Sequence, residues 1–288
     1  NDDGSDNQNT FIGTQAGYSN TTGYLNTASG YQALYSNTTG YRNTASGYRA
    51  LYSNTTGYRN TAIGNNALQS NSTGIENTAI GAEALFSNST GDYNTALGYY
   101  AYLNGSYSNS TALGYNASIS DNNQVRVGSA SVTSIGGQVG WTTLSDARIK
   151  HSVQENVPGL DFIKVLRPVT YYFDIDKQNA LLGIQDTAVW EGKDDIKAIR
   201  FSGFIAQEVD AAAKKIGYNF SGVDKSGTLW GLRYAEFTVP LVKAVQELNA
   251  RNASLQSALE TLQKLNASQQ KTLEDLQKEI EELKKMIK

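Results

Sequence analysis

Ser145, Asp146, Arg148 and Lys150 fall within eight residues, "TLSDARIK" at 143–150. A serine hydroxyl is a weak nucleophile until a neighbouring base takes its proton. The same residue types also describe a helix N-cap, Ser or Asp, followed by a solvated basic turn. Alone, the hexapeptide "SDARIK" reads more simply that way. His151 is the only histidine and cysteine is absent. That argues against a Ser-His-Asp hydrolase and against His-based or thiolate metal sites, so no metal and no cofactor is expected. Asp146 would position the loop or cap the turn that follows. His151 would tune the charge of Lys150 or, more simply, be a surface residue.

The stretch lies where the composition changes. Lys150 is the first lysine of 288 residues, and no proline precedes it. Residues 1–140 carry four basic and seven acidic side chains, whereas the rest carries twenty of each. The formal net charge is -3, so no basic surface points to nucleic acid. No apolar run approaches the ~20 residues of a membrane span. The chain begins at Asn1 without Met and shows no signal peptide, which suggests a piece of a longer protein.

What must position the cluster is first of all a repeat. Asn9, Asn26, Asn43, Asn60, Asn77 and Asn94 are spaced by 17 and open "NTFIG", "NTASG", "NTAIG" or "NTALG". Leu34, Leu51, Leu68 and Leu85 keep the same spacing, and "STALG" at Ser110 is a last copy shortened by one residue. Each unit reads as two short strands, through "NTAIG" and "ALYSN", and two turns, one of them "NTTG" or "NSTG". Gly, Asn, Thr and Ser are poor helix formers, and disorder does not need a register. One unit offers too little apolar surface for a broad single-chain core, so stacked copies and several chains around one axis would close it. Tyr18, Tyr24, Tyr31, Tyr35, Tyr41, Tyr48, Tyr52 and Tyr58 read as cross-strand packing, with sugar stacking as the alternative. Sequons such as Asn37-Thr38-Thr39 read as turn chemistry.

Residues 115–144 break the period and read as a β neck, with "QVRVGSASVTSIGG" alternating like short strands. Residues 145–240 read as a small α+β domain. It has helix candidates at "PGLDFIKVL" and "AQEVDAAAKKIG", strands at "PVTYYFD" and "IRFSGFI", and a hairpin in "SGVDKSGTLWGLRYAEF". From Leu241 to 288 the apolar residues follow a heptad. Position d holds Leu241, Leu248, Leu255, Leu262, Gln269, Leu276 and Leu283. Position a holds Val245, Asn252, Leu259, Asn266, Leu273, Ile280 and Ile287. A 48-residue helix spans roughly 70 Å and needs copies of itself as partners. The seam amides Asn252, Asn266 and Gln269 would fix register and strand number, with ion binding as the alternative. Sequence alone leaves dimer and trimer open.

Two resemblances complete the reading. Residues 9 to 114 resemble the head repeats of trimeric autotransporter adhesins and of some phage tail fibres, in which three chains form a left-handed parallel β-roll. That resemblance implies a homotrimer, although a period of 17 is longer than is common there. The segments "LSDARIK" (144–150), "VLRPVTYYF" (165–173), "GFIAQEV" (203–209) and "VPLVKAVQEL" (239–248) resemble, in order, the C-terminal intramolecular chaperone of phage tailspikes and tail fibres, the peptidase S74 family. Ala147 stands where that family usually has Arg or another polar residue.

The second resemblance implies a domain that trimerises, helps the preceding β-structure fold, and then cuts itself off. Ser145 would be the nucleophile and Lys150 the base, with the cut at Leu144–Ser145. The lysine would have to act neutral, through burial or nearby positive charge such as Arg148, and proximity would replace substrate binding.

The expected fold class is therefore mixed. It comprises a trimeric all-β roll (1–114), a short neck (115–144), an α+β chaperone and autoprotease (145–240) and a trimeric coiled coil (241–288). The expected function is a trimeric fibre or adhesin tip on a virion tail or a bacterial surface, with a self-cleaving serine endopeptidase acting once in cis. Its head would take a cell-surface glycan or another receptor. The rival reading is a permanently attached trimeric adhesin whose C-terminal domain is only a structural foot. A glycan-degrading tailspike finds no support, because Glu76, Glu83 and Asp92 are scattered acids rather than a defensible pair.

Overall fold

The computed structural model describes residues 7–102 and 104–286. Each repeat supplies one three-residue strand: β1 (Thr10–Ile12), β2 (Thr27–Ser29), β3 (Thr44–Ser46), β4 (Thr61–Ile63), β5 (Thr78–Ile80), β6 (Thr95–Leu97) and β7 (Thr111–Leu113). A further strand, β8 (Val125–Val127), extends the sheet past the repeats, and all eight run parallel in chain order. Equivalent residues pair, as in Ala28 with Ala45 and Ala45 with Ala62. The result is a parallel β-solenoid of about seven turns, one coil per repeat.

A single chain closes this core, contrary to the expectation that several chains must do so. The central alanines of the strands, Ala28 to Ala112, are fully buried, as are Leu34, Leu51, Leu68 and Leu85. Tyr102 takes the next place in the leucine row and is also buried. Alanine lets opposite walls of a coil approach closely, so a thin core suffices.

The expected second strand at "ALYSN" is absent, because the chain turns there instead. Gln32 and Leu34 adopt left-handed φ values of 54° and 53°, repeated at Arg49, Leu51, Asn66 and Leu68. Such a conformation costs an L-residue roughly 1–2 kcal/mol. Hydrogen bonds between successive coils offset it, for instance Leu34 N–H to the Ala50 carbonyl at 3.0 Å and Ser36 N–H to the Tyr52 carbonyl at 3.0 Å. Gly47 meets a stricter demand. Its φ is +138°, and a Cβ there would lie 2.3 Å from the Gly64 carbonyl oxygen.

The asparagines are structural ladders inside the coil. Asn43 Oδ1 accepts the Asn60 N–H at 3.0 Å, and Asn43 Nδ2 donates to the Gly57 carbonyl at 2.9 Å. In a second row, Asn54 Nδ2 donates to Asn37 Oδ1 at 2.8 Å and to the Gly57 carbonyl at 3.0 Å. Both rows are fully buried between Asn26 and Asn88; buried amides are mostly paired in this way, and Asn88 Oδ1, at the end of its row, accepts no hydrogen bond. Asn37 of the sequon donates to Asn20 Oδ1 and the Gly40 carbonyl, in keeping with turn chemistry rather than glycosylation. Tyr18, Tyr35 and Tyr52 stack at 5.2 and 5.1 Å, and Tyr24, Tyr41 and Tyr58 at 4.9 and 4.7 Å. Their faces cover one another, as packing predicts, and sugar stacking would need those faces free.

Downstream come a 3-10 turn (Ala147–Ile149), α1 (Leu160–Ile163), β9 (Val169–Tyr171), α2 (Ile175–Leu181), α3 (Asp195–Ala198), β10 (Phe201–Gly203), α4 (Ala206–Lys215), β11 (Val223–Asp224), β12 (Gly231–Leu232) and α5 (Thr238–Met286). The helices at 160 and 206, strands β9 and β10 and the antiparallel β11–β12 pair lie where the sequence places them. Helices α2 and α3 were not expected, and within "QVRVGSASVTSIGG" only β8 forms.

The chain divides into two units. The first holds the solenoid through Thr143, Thr170–Gly203 and Lys225–Trp230. Within it, the Tyr115 hydroxyl donates to Asp186 Oδ1 at 2.6 Å, Lys193 pairs with Asp186 at 3.1 Å, and Trp190 meets the Tyr115 ring edge-on at 5.2 Å. The second holds Leu144–Val169, Phe204–Asp224 and the chain from Gly231 onward. Its core is Phe162, Val209, Ala213, Phe220, Val223 and Phe237.

Helix α5 is buried only near its start, at Pro240 and Ala244. From Val245 to Leu283 its seam leucines, valine and isoleucine are 46–68 % exposed. Asn252, Asn266 and Gln269 are exposed on the same helix, while Ile287 lies outside the described residues. No helix among the described residues is long and apolar enough to cross a membrane.

Candidate active site

The loop at 144–150 is shaped by one local device. Asp146 caps the 3-10 turn, its Oδ1 accepting the Arg148 N–H at 2.8 Å. The Arg148 guanidinium then closes on the same carboxylate, with Nη2 2.7 Å from Oδ2. This pairing holds the Asp146 carboxyl below the usual carboxylate range and raises the Arg148 guanidinium. The positive charge of Arg148 is thus engaged by Asp146.

The turn brings the ends of the motif together. Lys150 Nζ donates to Ser145 Oγ at 2.6 Å. Both side chains are exposed, and the Leu144 side chain is 83 % exposed. The Leu144–Ser145 peptide bond therefore sits beside a serine hydroxyl that already contacts an amine. His151 instead contacts Ser152, Nδ1 to Oγ at 3.2 Å, and Ser152 has a left-handed φ of 53°.

Two contacts fix the scaffold that follows the motif. Gly159 lets α1 pack directly on α5, since a Cβ at Gly159 would lie 2.6 Å from the Ala244 nitrogen. Glu247 Oε2 accepts the Leu160 N–H at 2.8 Å, filling an open donor at the start of α1. Arg167 grips Glu208 of α4 with Nε at 2.9 Å. The sequence reading missed these partners, and it missed Tyr115, Asp186, Trp190 and Lys193. Their separations, 87 residues for Leu160–Glu247 and 71 for Tyr115–Asp186, leave no local pattern. Asp186 had one visible sign, an acid inside an apolar stretch, "LLGIQDTAVW".

Among the described residues no group of three or more His, Cys, Asp or Glu side chains could hold a metal. No curated protein and no solved structure matches the chain. Residues 145–218, beginning at the serine that Lys150 contacts, match the family model Peptidase_S74, chaperone of endosialidase.

Proposed function

We propose that this chain is the assembly end of a trimeric fibre, with a C-terminal chaperone that directs folding of the solenoid and then releases itself at Leu144–Ser145. One observation carries the reading. The first residue of the family match is a serine whose Oγ lies 2.6 Å from Lys150 Nζ, next to an exposed peptide bond.

The chemistry follows from that geometry. Lys150, acting as a neutral amine, removes the Ser145 proton, and Oγ attacks the Leu144 carbonyl carbon. The C–N bond breaks as the nitrogen takes up a proton, leaving an ester between Leu144 and Ser145 Oγ. Water hydrolyses the ester, giving a carboxylate at Leu144 and a free α-amine at Ser145. Proximity supplies what a substrate pocket supplies elsewhere. In the single chain both side chains face water and the lysine donates, which is the resting arrangement. Cover by neighbouring chains favours the neutral amine by desolvation, so assembly precedes the cut.

A chaperone is needed because near-identical coils can pair one repeat out of step at little local cost. Trimerisation through α5 sets the register and raises the local concentration of the other chains. The fibre would belong to a virion tail or a bacterial surface, with a receptor at the head.

Exposure of the Ser145–Lys150 pair suits the rival reading as well, a permanently attached foot. A denaturing gel of purified protein separates the two. Two bands support release, and a single full-length band supports the foot. For the folding role, residues 1–144 synthesised alone should aggregate. Their ready folding to a soluble trimer would show that the chaperone is dispensable.

A further inference from the structure

The compact unit that holds the coils also holds Thr170–Gly203 and Lys225–Trp230, two segments that follow Leu144–Ser145 in the chain. Three contacts join these segments to the last coils. Tyr115, stacked on Tyr99 at 5.9 Å, donates its hydroxyl to Asp186 Oδ1 at 2.6 Å, a charge-assisted bond. The Asp186 side chain is only 4 % exposed and also pairs with Lys193 at 3.1 Å. Lys193 Nζ lies 5.2 Å over the ring of Trp190, which itself meets Tyr115 edge-on. Asn104 Nδ2 donates to the Gly183 carbonyl at 3.3 Å. The backbone at Gly227 runs so close to Ser120 that a Cβ there would lie 2.5 Å from Ser120 Oγ.

We propose that the last coils, from Asn104 to Ser120, are a docking surface for the cut C-terminal piece, so that the two fragments stay together after the peptide bond is broken and separate only in a later, slower step. The inference rests on the cleavage reading above and divides release into a covalent and a non-covalent event. Hydrolysis at Leu144–Ser145 removes none of the contacts, because each pairs a residue between 104 and 120 with one between 183 and 227. The occupant is already seated: it is the piece's own segment around Gly183, Asp186 and Trp190, with Gly227 beside it. Separation would bare the facing rings of Tyr115 and Trp190 and take from Asp186 its hydroxyl donor. Water replaces such a bond at modest net cost, so a single surface of this kind holds weakly. Three of them, borne on one α5-linked trimer, hold far longer, because each rebinds at the high local concentration that the other two maintain.

The test separates the two events. The full chain is left until a denaturing gel shows that its cut is complete, then diluted and passed at intervals over a size-exclusion column under native conditions. Tyr115→Phe and Asp186→Asn are treated in the same way. Each gives up the charge of the bond or its donor while leaving the Tyr115–Trp190 ring contact in place. Tyr18→Phe, in an early coil, is the comparison. The expected result is that the fragments of the parent co-elute at first, and that they part about tenfold faster in Tyr115→Phe and Asp186→Asn, as loss of one hydrogen bond to a charged group predicts. Tyr18→Phe should behave as the parent does. Fragments that elute apart as soon as the cut is complete would overturn the docking while leaving cleavage intact. Co-elution with the same rate of parting in all four proteins would overturn the assigned surface. A single full-length band on the denaturing gel would overturn the cleavage reading and the inference with it.

Discussion

Lys150 Nζ sits 2.6 Å from Ser145 Oγ across a 3-10 turn that Asp146 caps. The spacing of five residues matters, because the turn folds the lysine back over the serine that precedes it. Removing either end should act on chemistry and leave the fold alone, since neither side chain is buried. Ser145→Ala should abolish cleavage. Lys150→Ala should slow it by about 10²–10⁴-fold, the usual contribution of a positioned base. Lys150→Arg should fail equally, because a guanidinium does not release its proton in this range. Gel densitometry over time measures all three, and wild-type rates in Lys150→Ala would remove the lysine from the mechanism.

In the proposed trimer the α5 seam would carry the assembly. Light scattering of the uncut Ser145→Ala chain should give three times the 31.2 kDa chain mass. Leu255→Asp with Leu259→Asp should return it to one chain by placing charges on the seam. A monomer in the parent protein at micromolar concentration would contradict the trimer.

Asn54 tests the interior ladder. It donates to Asn37 Oδ1 and the Gly57 carbonyl and accepts from Asn71 Nδ2 at 2.8 Å, with no exposure to solvent. Asn54→Ala leaves Asn37 Oδ1 without its donor, while the Gly57 carbonyl keeps Asn43 Nδ2 and Asn71 Nδ2 keeps the Gly74 carbonyl; an unsatisfied buried group costs about 1–3 kcal/mol. Thermal unfolding should show a loss of about 1–3 kcal/mol. A loss below about 1 kcal/mol would mean that the ladder contributes little.

Asp186 gives a pH signature. Burial pushes its carboxyl up, but the hydrogen bonds from Tyr115 and Lys193 and the Lys193 charge outweigh that and hold it below the ordinary value. A carboxyl depressed on folding contributes stability above its unfolded pKa of about 3.9. That contribution fades as pH falls below this value through the folded one. Asp186→Asn should cost about 1–3 kcal/mol at neutral pH and flatten the acid limb of the unfolding curve below about pH 4. Identical acid limbs in variant and parent would exclude Asp186 as its source.

Much of this was legible in the residues. The spacing of Asn26, Asn43 and Asn60 announced a coil of 17, and the heptad from Leu241 announced a long helix that α5 extends back to Thr238. What failed was conformational. Leu34 looks like a strand residue, yet its φ is 53°, and apolar spacing carries no record of backbone handedness. Asparagines read as turn formers are buried ladder rungs because an amide both donates and accepts along a stack, which hydrophobic patterning ignores. The Ser145–Lys150 pairing was legible through the family resemblance, since the hexapeptide alone reads as a capped turn, and five residues of local chain create the contact. The Tyr115–Asp186 contact was not, because only the fold brings those residues together.

The central claim, release by Ser145 with Lys150 as its base, is tested most directly by N-terminal sequencing and intact mass of the smaller fragment from purified, assembled protein. The account predicts a fragment beginning Ser145-Asp146-Ala147, present in the parent and absent from Ser145→Ala. A fragment beginning at any other residue, or the same fragment from Ser145→Ala, would contradict it.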